Sequence, residues 1–175
     1  MTTTNRVAVV VGNPRPGSRT ARAAVRLAEL LAEPLGAAQL DVLELAGLGP
    51  ELHAAEHPRA DAALETLAGA ALVVVATPVH KGSFTGLLKS FLDLFPGGAL
   101  RGTVAVPLVV SASPAHSAAG EVHLRPVLLE LGAAVPAPAL ALLESRLESL
   151  EEVLGAWVAQ HLAVVRAALP AGVPA

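Results

Sequence analysis

Residues 6–20 read RVAVVVGNPRPGSRT and contain a strand, a loop and the start of a helix. Arg6–Val11 is a short β-branched run without interruption, which is typical of a strand buried on both faces of a sheet. The Gly- and Pro-rich residues after it predict a loop. Ser18 is placed to cap a helix whose apolar residues recur at helical spacing from Val25 to Leu31.

The same alternation of strand and helix continues along the chain. Further strands are predicted at Gln39–Leu45, Leu72–Ala76, Thr103–Val110 and Ala134–Leu140, the last at a sheet edge because it contains two prolines. Further helices are predicted at Ala60–Ala68, Phe84–Phe95, Val122–Leu131 and Glu144–Leu169. This alternation favours an α/β fold with a doubly wound parallel sheet and helices on both faces. We expect a single domain over residues 1–175, with a frayed tail at 170–175.

Composition excludes several classes of protein. The chain has 175 residues and no Cys, which removes disulfides, thiolate metal sites and cysteine nucleophiles. A net charge of −3 with three Phe, one Trp and no Tyr disfavours nucleic-acid binding. Apolar runs such as Ala70–Ala76 are far shorter than the ~18 residues of a membrane span, and MTTTNR is no signal-peptide start. We expect a cytoplasmic protein without a nucleic-acid, membrane or metal partner.

Three loops follow predicted strands 1, 3 and 4, at the edge where open α/β sheets bind ligands. They are Gly12–Thr20, Thr77–Ser83 and Ser111–His116. The first contains neither the GxGxxG dinucleotide fingerprint nor a GxxxxGK[ST] P-loop. It instead places Ser18, Arg19 and Thr20 at a helix start, where free N–H groups and the helix dipole favour a phosphate. The alternative is that Ser18 is only an N-cap and that the arginines form a solvated rim.

Three segments resemble a known family: GNPRPGSRT at 12–20, VVVATPVHKGSFTGLLKSFLDL at 73–94 and AHSAAGEVHLRPVLLELGA at 115–133. They are similar to the flavodoxin-like NAD(P)H-dependent FMN reductases, in particular the alkanesulfonate and methanesulfonate type that supply reduced flavin to two-component monooxygenases. The resemblance covers about residues 6–142, and its long continuous middle segment is the most specific part. It implies a five-stranded sheet in the order 2-1-3-4-5, bound FMN, and NADH or NADPH as hydride donor.

The resemblance also assigns FMN contacts to the three loops. The phosphate is expected on Arg15, Ser18, Arg19 and Thr20. The isoalloxazine is expected along Pro78, Val79, His80, Lys81, Gly82 and Ser83, with its other edge beside Ser111, Ala112 and Ser113. Because the cofactor supplies the reactivity and the protein aligns two rings, no side chain is expected to act as a catalytic acid, base or nucleophile.

Two features depart from the family pattern. Most members carry Tyr where this chain has His80, whose smaller, titratable ring predicts weaker flavin packing or a pH dependence near neutrality, unless it is only a tolerated surface substitute. Some relatives carry an inserted Tyr or His in the fourth helix that produces a π-bulge at a tetramer interface. The corresponding stretch here, GEVHLRP at 120–126, contains no Tyr, and we expect no bulge.

The expected partners are a second copy of the chain and a flavin-dependent monooxygenase. The family packs the helix at 83–95 against a subunit mate, and its Phe and Leu stripe predicts a homodimer or homotetramer, although such stripes are more often core. The alternative functions are a quinone, azo-dye or chromate reductase on the same frame, and a flavodoxin-like electron carrier. A carrier is disfavoured because carriers stack flavin between aromatic rings and are strongly acidic.

Overall fold

The computed structural model describes residues 6–170, and its five parallel strands form one sheet in the order β2-β1-β3-β4-β5. The strands are β1 (Arg6–Val11), β2 (Gln39–Glu44), β3 (Leu72–Pro78), β4 (Val104–Ser111) and β5 (Leu140–Leu143). The predicted α/β class and strand order are therefore confirmed. Residues 171–175, which hold most of the tail expected to fray, lie outside the described residues.

Helices cover both faces of the sheet. They are α1 (Arg19–Ala32), α2 (Pro58–Ala68), α3 (Gly86–Leu92), α4 (Arg125–Glu130) and α5 (Leu150–Ala168). One apolar layer joins α1 and α5 to Val7, Val9 and Val11, and the other joins α2, α3 and α4 to Ala8 and Val10. Alternate residues of β1 thus enter opposite layers, which explains its unbroken apolar sequence. No helix in the described part of the chain is long and apolar enough to cross a membrane.

The last strand lies later in the chain than predicted. The expected strand at Ala134–Leu140 is wrong, because β5 begins only at Leu140, although its position at the sheet edge is confirmed. The two prolines of the preceding segment donate no backbone hydrogen bonds. Its carbonyl oxygens at Val135 and Ala137 accept from the Arg125 guanidinium, at 2.6 and 2.9 Å. Ala134 still pairs with the backbone around β4, through bonds of 2.9 Å to the Thr103 carbonyl and 2.8 Å from the Ala105 N–H. Beyond it, a side chain rather than a neighbouring strand satisfies the carbonyls of Val135 and Ala137.

The fourth helix begins with a π-helix at Gly120–Leu124, so the expectation of no bulge is wrong. The backbone N–H of Arg125 donates to the carbonyl of Gly120, five residues earlier. A Cβ on Gly120 would lie 2.6 Å from the Cβ of Ala139, so only glycine allows this close packing. Pro126, one residue after the π-turn, has no N–H to give to an ordinary i−4 bond. The bulge thus forms without a Tyr, in a turn that contains His123 and is accompanied by a glycine and a proline.

The apolar stripe of the predicted helix 84–95 lies mostly in the core. The regular helix is shorter than expected, from Gly86 to Leu92, and Thr85 caps its start by accepting from the N–H of Leu88. The buried members of the stripe are Leu88, Phe91, Leu92 and Phe95. Phe84 and Leu87 are only half-buried and leave apolar surface beside the helix start.

Candidate functional site

The loops after β1, β3 and β4 meet at one edge of the sheet, as expected. The register pairs the end of β1 with the ends of β2 and β3, and it pairs Pro78 of β3 with Val110 of β4. A cleft of about 470 Å³ opens there, lined by residues 13–20 with Pro78, His80, Val110 and Glu144. A volume of this size lies within the range of small-molecule sites.

The start of α1 presents unpaired donors to this cleft. Ser18 is the N-cap, since its Oγ accepts from the N–H of Ala21 at 3.1 Å. Within residues 6–170, no hydrogen bond engages the backbone N–H groups of Ser18, Arg19 and Thr20. Consecutive free N–H groups at the positive end of a helix dipole bind anions. Ser18 is therefore the N-cap, and the helix that it caps begins with three free N–H groups in the lining of the cleft.

The loop before α1 is held in place by two side chains that the sequence did not single out. Asn13 accepts through Oδ1 from the N–H of Arg15 at 2.9 Å and donates through Nδ2 to Oγ1 of Thr20 at 3.3 Å. Glu44, at the end of β2, accepts from the N–H of Gly17 at 2.8 Å. These contacts fix the backbone that carries the free donors before any ligand binds.

A tight turn follows β3 and presents His80 to the cleft. His80 and Ser83 exchange backbone hydrogen bonds of 2.8 and 3.2 Å around Lys81 and Gly82. Both central residues have positive φ, 54° and 82°, as a two-residue type I′ turn requires. Of the six residues expected along the isoalloxazine, Pro78 and His80 line the cleft, whereas the other four lie beside it.

The loop after β4 offers less than expected. Ser111 is buried, and its hydroxyl donates to the carbonyl of Ser113 at 3.1 Å. The Oγ of Ser113 accepts from the N–H of Ala115 at 3.3 Å. Neither serine nor Ala112 lines the cleft, and β4 contributes Val110 instead. The two hydroxyls therefore form hydrogen bonds that stabilise their own loop.

Buried threonines tie the first and second loops together. The hydroxyl of Thr85 donates to the carbonyl of Gly12 at 2.6 Å, and the N–H of Thr85 donates to Oγ1 of Thr77 at 3.2 Å. Gly12 itself lies against α3, where an added Cβ would meet the Cβ of Leu88 at 2.5 Å. Sequence reasoning missed both threonines, although a Thr immediately before a helix is a recognisable N-cap signal.

The cleft carries one acidic residue and one aromatic ring. Glu144, which follows β5, places Oε2 3.0 Å from Nη2 of Arg19. His80 provides the only aromatic ring among the lining residues. Within residues 6–170, no three His, Asp or Glu side chains gather to hold a metal ion. The arrangement suits a ligand with a phosphate at one end and an uncharged body at the other.

The strand order, with a cleft at the switch point between β1 and β3, defines a flavodoxin-like α/β protein. The family model described as NADPH-dependent FMN reductase matches residues 5–146. The chain therefore belongs to the NADPH-dependent FMN reductase family, a family of oxidoreductases, which confirms the resemblance seen in the sequence.

Individual relatives agree with this assignment. The chain is 37% identical over 133 residues to "FMN reductase (NADPH)" of Escherichia coli strain K12, a match covering 73% of this chain and 68% of that protein. It is 36% identical over 127 residues to "NADH-dependent FMN reductase SfnE" of Pseudomonas putida, covering 70% and 68%. Among solved structures, the apo form of the NADH:FMN oxidoreductase EMOB aligns with a TM-score of 0.85 at 28% identity, covering 96% of this chain and 91% of that one.

Proposed function

We propose that this chain transfers hydride from NADPH or NADH to FMN and supplies reduced FMN to a partner flavin-dependent monooxygenase. The observation that carries the proposal is the row of free N–H groups at Ser18, Arg19 and Thr20, which opens into the cleft at the switch point of the sheet. These donors fit a phosphate, and phosphate is the part of FMN that riboflavin lacks. The names of the relatives divide between NADPH and NADH, so both donors are retained in the proposal.

Different residues of the cleft would bind the phosphate and the ring system of FMN. The N–H groups and hydroxyls of Ser18 and Thr20, with the guanidinium groups of Arg15 and Arg19, would hold the phosphate. The ring system would lie along the turn at 78–83 and beside residues 111–113. Val79 is held at this position by its N–H bond to the carbonyl of Val110, at 2.8 Å.

Alignment is the chain's contribution to the reaction. When bound, FMN supplies the hydride-accepting chemistry, so the protein needs no acid, base or nucleophile of its own. Fixing two rings face to face is by itself a large contribution to rate. His80 is the one titratable ring that lines the cleft, and we assign it to flavin packing rather than to proton transfer.

The cleft lining contains one aromatic ring, that of His80, and this supports the proposed monooxygenase partner because a loosely packed flavin can be released to it. A flavin without an aromatic side-chain stack is held mainly at its phosphate end and is free to leave after reduction.

We also propose a single domain, and a cytoplasmic location, where the nicotinamide donors are found. The half-buried Phe84 and Leu87 support a dimer or tetramer formed through residues 83–95, which sedimentation at micromolar concentration would detect; a stable monomer would contradict it.

A steady-state assay of the full chain tests the proposed activity. FMN, FAD, riboflavin and a quinone are compared as acceptors, each with NADH and with NADPH. We expect FMN to give the highest kcat/KM among the flavins because only its terminal phosphate fits the donors at the start of α1. A quinone reduced with a higher kcat/KM than every flavin would favour the quinone-reductase alternative instead.

A further inference from the structure

Glu144 places a carboxylate at the phosphate end of the cleft. Its Oε2 atom lies 3.0 Å from Nη2 of Arg19, and both residues line the cleft that contains the free N–H groups of Ser18 and Thr20. A carboxylate in a site of this kind repels a phosphate, and it also neutralises the guanidinium that would attract one. The three loops that the family resemblance assigns to FMN do not include this residue.

The ion pair between Glu144 and Arg19 is loose. The side chains are 53% exposed for Arg19 and 40% exposed for Glu144, and one contact of 3.0 Å joins them. Exposed pairs of this kind contribute little stability, because water already solvates both partners. Arg19 can therefore turn from Glu144 to an incoming phosphate at small cost, whereas the negative charge of Glu144 remains beside that phosphate.

A second carboxylate contacts the same loop but from outside the cleft. Glu44 accepts from the N–H of Gly17 and lines a neighbouring depression with Val25 and Arg26 rather than the cleft itself. Its contact fixes the loop and leaves the donors of Ser18, Arg19 and Thr20 free. Glu144 is the carboxylate that shares the space of the ligand.

We propose that Glu144 sets the affinity and release of FMN. In the absence of phosphate it holds Arg19; when the phosphate binds, Arg19 changes partner, and the charge of Glu144 weakens the complex so that FMN is exchanged in each turnover. A flavin without a phosphate is not subject to this effect. Glu144 thereby lowers the preference of the cleft for FMN over riboflavin. This inference rests on the proposed function.

The first test compares FMN and riboflavin binding to the full chain and to Glu144→Gln. Flavin fluorescence titration gives both dissociation constants, and stopped-flow dilution gives the release rate. We expect Glu144→Gln to bind FMN about fivefold more tightly and to release it more slowly, as loss of one exposed charge interaction implies. Riboflavin affinity should stay unchanged. Because Glu144 is exposed and Gln has nearly the same shape, the thermal midpoint should be retained.

Glu148→Gln is the matched control. It removes the same charge from the same segment after β5, but Glu148 is exposed and does not line the cleft. We expect its FMN affinity to equal that of the unmodified chain. An equal gain in both variants would mean that net charge, rather than Glu144, controls binding, and would overturn the proposal.

The exchange of partners has its own test in a double-mutant cycle. Arg19→Gln is made in the unmodified chain and in Glu144→Gln. If the pair opens when phosphate binds, Arg19→Gln should lose less FMN affinity in the unmodified chain than in Glu144→Gln. In the unmodified chain the substitution also removes the ion pair that phosphate binding would have to break. Equal losses in the two backgrounds would show that the pair stays closed and would overturn the exchange.

Failure of this proposal is separable from failure of the proposed function. FMN affinity that is unchanged or weaker in Glu144→Gln, or a parallel gain for riboflavin, overturns the role of Glu144 while FMN reduction by the unmodified chain still stands. An unmodified chain that binds neither flavin and reduces neither overturns both.

Discussion

The two ends of the cleft differ in how many polar groups they keep free. At the start of α1, three backbone N–H groups have no partner within residues 6–170, and the loop around them is fixed by Asn13 and Glu44. At the other end, the backbone of His80 bonds to Ser83, and just outside the cleft the hydroxyl of Ser111 bonds within its own loop. The α1 end has free donors that can bind a charged group, whereas the polar groups at the other end already have hydrogen-bond partners.

This difference indicates that the α1 end supplies most of the binding free energy and that the ring end is where the reaction takes place. The α1 end offers charge-assisted hydrogen bonds, which are among the strongest in proteins. The ring end offers a shaped surface with a single aromatic ring, suited to alignment and release. A flavin held at its phosphate and loosely packed at its ring fits an enzyme that exchanges FMN better than a carrier that retains it.

The largest expected effect comes from removing the hydroxyls at the α1 end. We expect the double variant Ser18→Ala with Thr20→Ala to weaken FMN binding about a hundredfold, because two hydrogen bonds to a charged group and a helix cap are lost. Riboflavin should lose less than about threefold by the same reasoning, since it makes no phosphate contact. Titration of both flavins measures the ratio of the two affinity losses. Equal losses for FMN and riboflavin would show that the phosphate does not bind at the start of α1.

The buried hydroxyl of Thr85 joins the loop after β1 to the start of α3, and its loss should lower stability. Thr85→Val leaves the carbonyl of Gly12 and the N–H of Leu88 without their side-chain partner. We expect the free energy of unfolding to fall by about 2 kcal/mol, from the cost of unpaired buried groups. Chemical denaturation measures it. The matched control is Thr66→Val on α2, whose hydroxyl bonds only to the carbonyl of Ala62 in its own helix, with a change within about 0.5 kcal/mol. Similar losses in both variants would contradict the link.

The sequence predicted the parts of the molecule that depend on periodicity. Strands β1, β3 and β4 follow from apolar runs that are buried on both faces, and β2 follows from its alternating polar and apolar residues. The strand order came from the family resemblance. The position of β5 did not follow, because the carbonyls before it pair with Arg125, a long-range contact that no local pattern reveals. The π-helix was missed for a similar reason, since its glycine is required by the closeness of Ala139 rather than by its own neighbours.

The site was predicted where a single loop carries the signal. Ser18, Arg19 and Thr20 are recognisable because consecutive residues determine where a helix starts. Glu144 and Glu44 were not found, because they contact Arg19 and Gly17 from the ends of β5 and β2, and the sheet alone makes them neighbours. The serines after β4 were expected near the flavin, but their hydroxyls bond within their own loop, a competition that residue type alone does not reveal.

His80 provides a moderate test of the ring end. We expect His80→Ala to weaken FMN binding several-fold while the single-turnover rate of flavin reduction at saturating FMN and nicotinamide changes less than tenfold from pH 6 to 9. His80→Tyr, which restores the usual family residue, should keep or raise the rate. Loss of a true acid or base costs about 10²–10⁴-fold. A fall of that size in His80→Ala with FMN affinity unchanged would make His80 a chemical participant.

The smallest effect is expected at the tip of the turn. Lys81 has a φ of 54°, a conformation that costs a side-chain-bearing residue about 1–2 kcal/mol relative to glycine. Lys81→Gly removes this strain but increases the entropy of the unfolded chain, so the net stabilisation should be about 0.5 kcal/mol. FMN affinity should change little, because glycine keeps the backbone of the turn along which the ring would lie, and the Lys81 side chain is outside the cleft lining. Thermal denaturation and flavin titration check the two parts, and a large loss of FMN affinity would assign Lys81 to the flavin.

The most direct measurement is an amide ¹H–¹⁵N spectrum of the full chain titrated with FMN and, separately, with riboflavin. The account predicts that FMN shifts the amide resonances of Ser18, Arg19 and Thr20 more than any others, because its phosphate accepts hydrogen bonds from their free N–H groups. Riboflavin should shift residues around the turn at 78–83 and leave those three unchanged. Equal shifts of the three amides by both flavins, or FMN shifts confined to residues 78–83 and 111–113, would contradict the account.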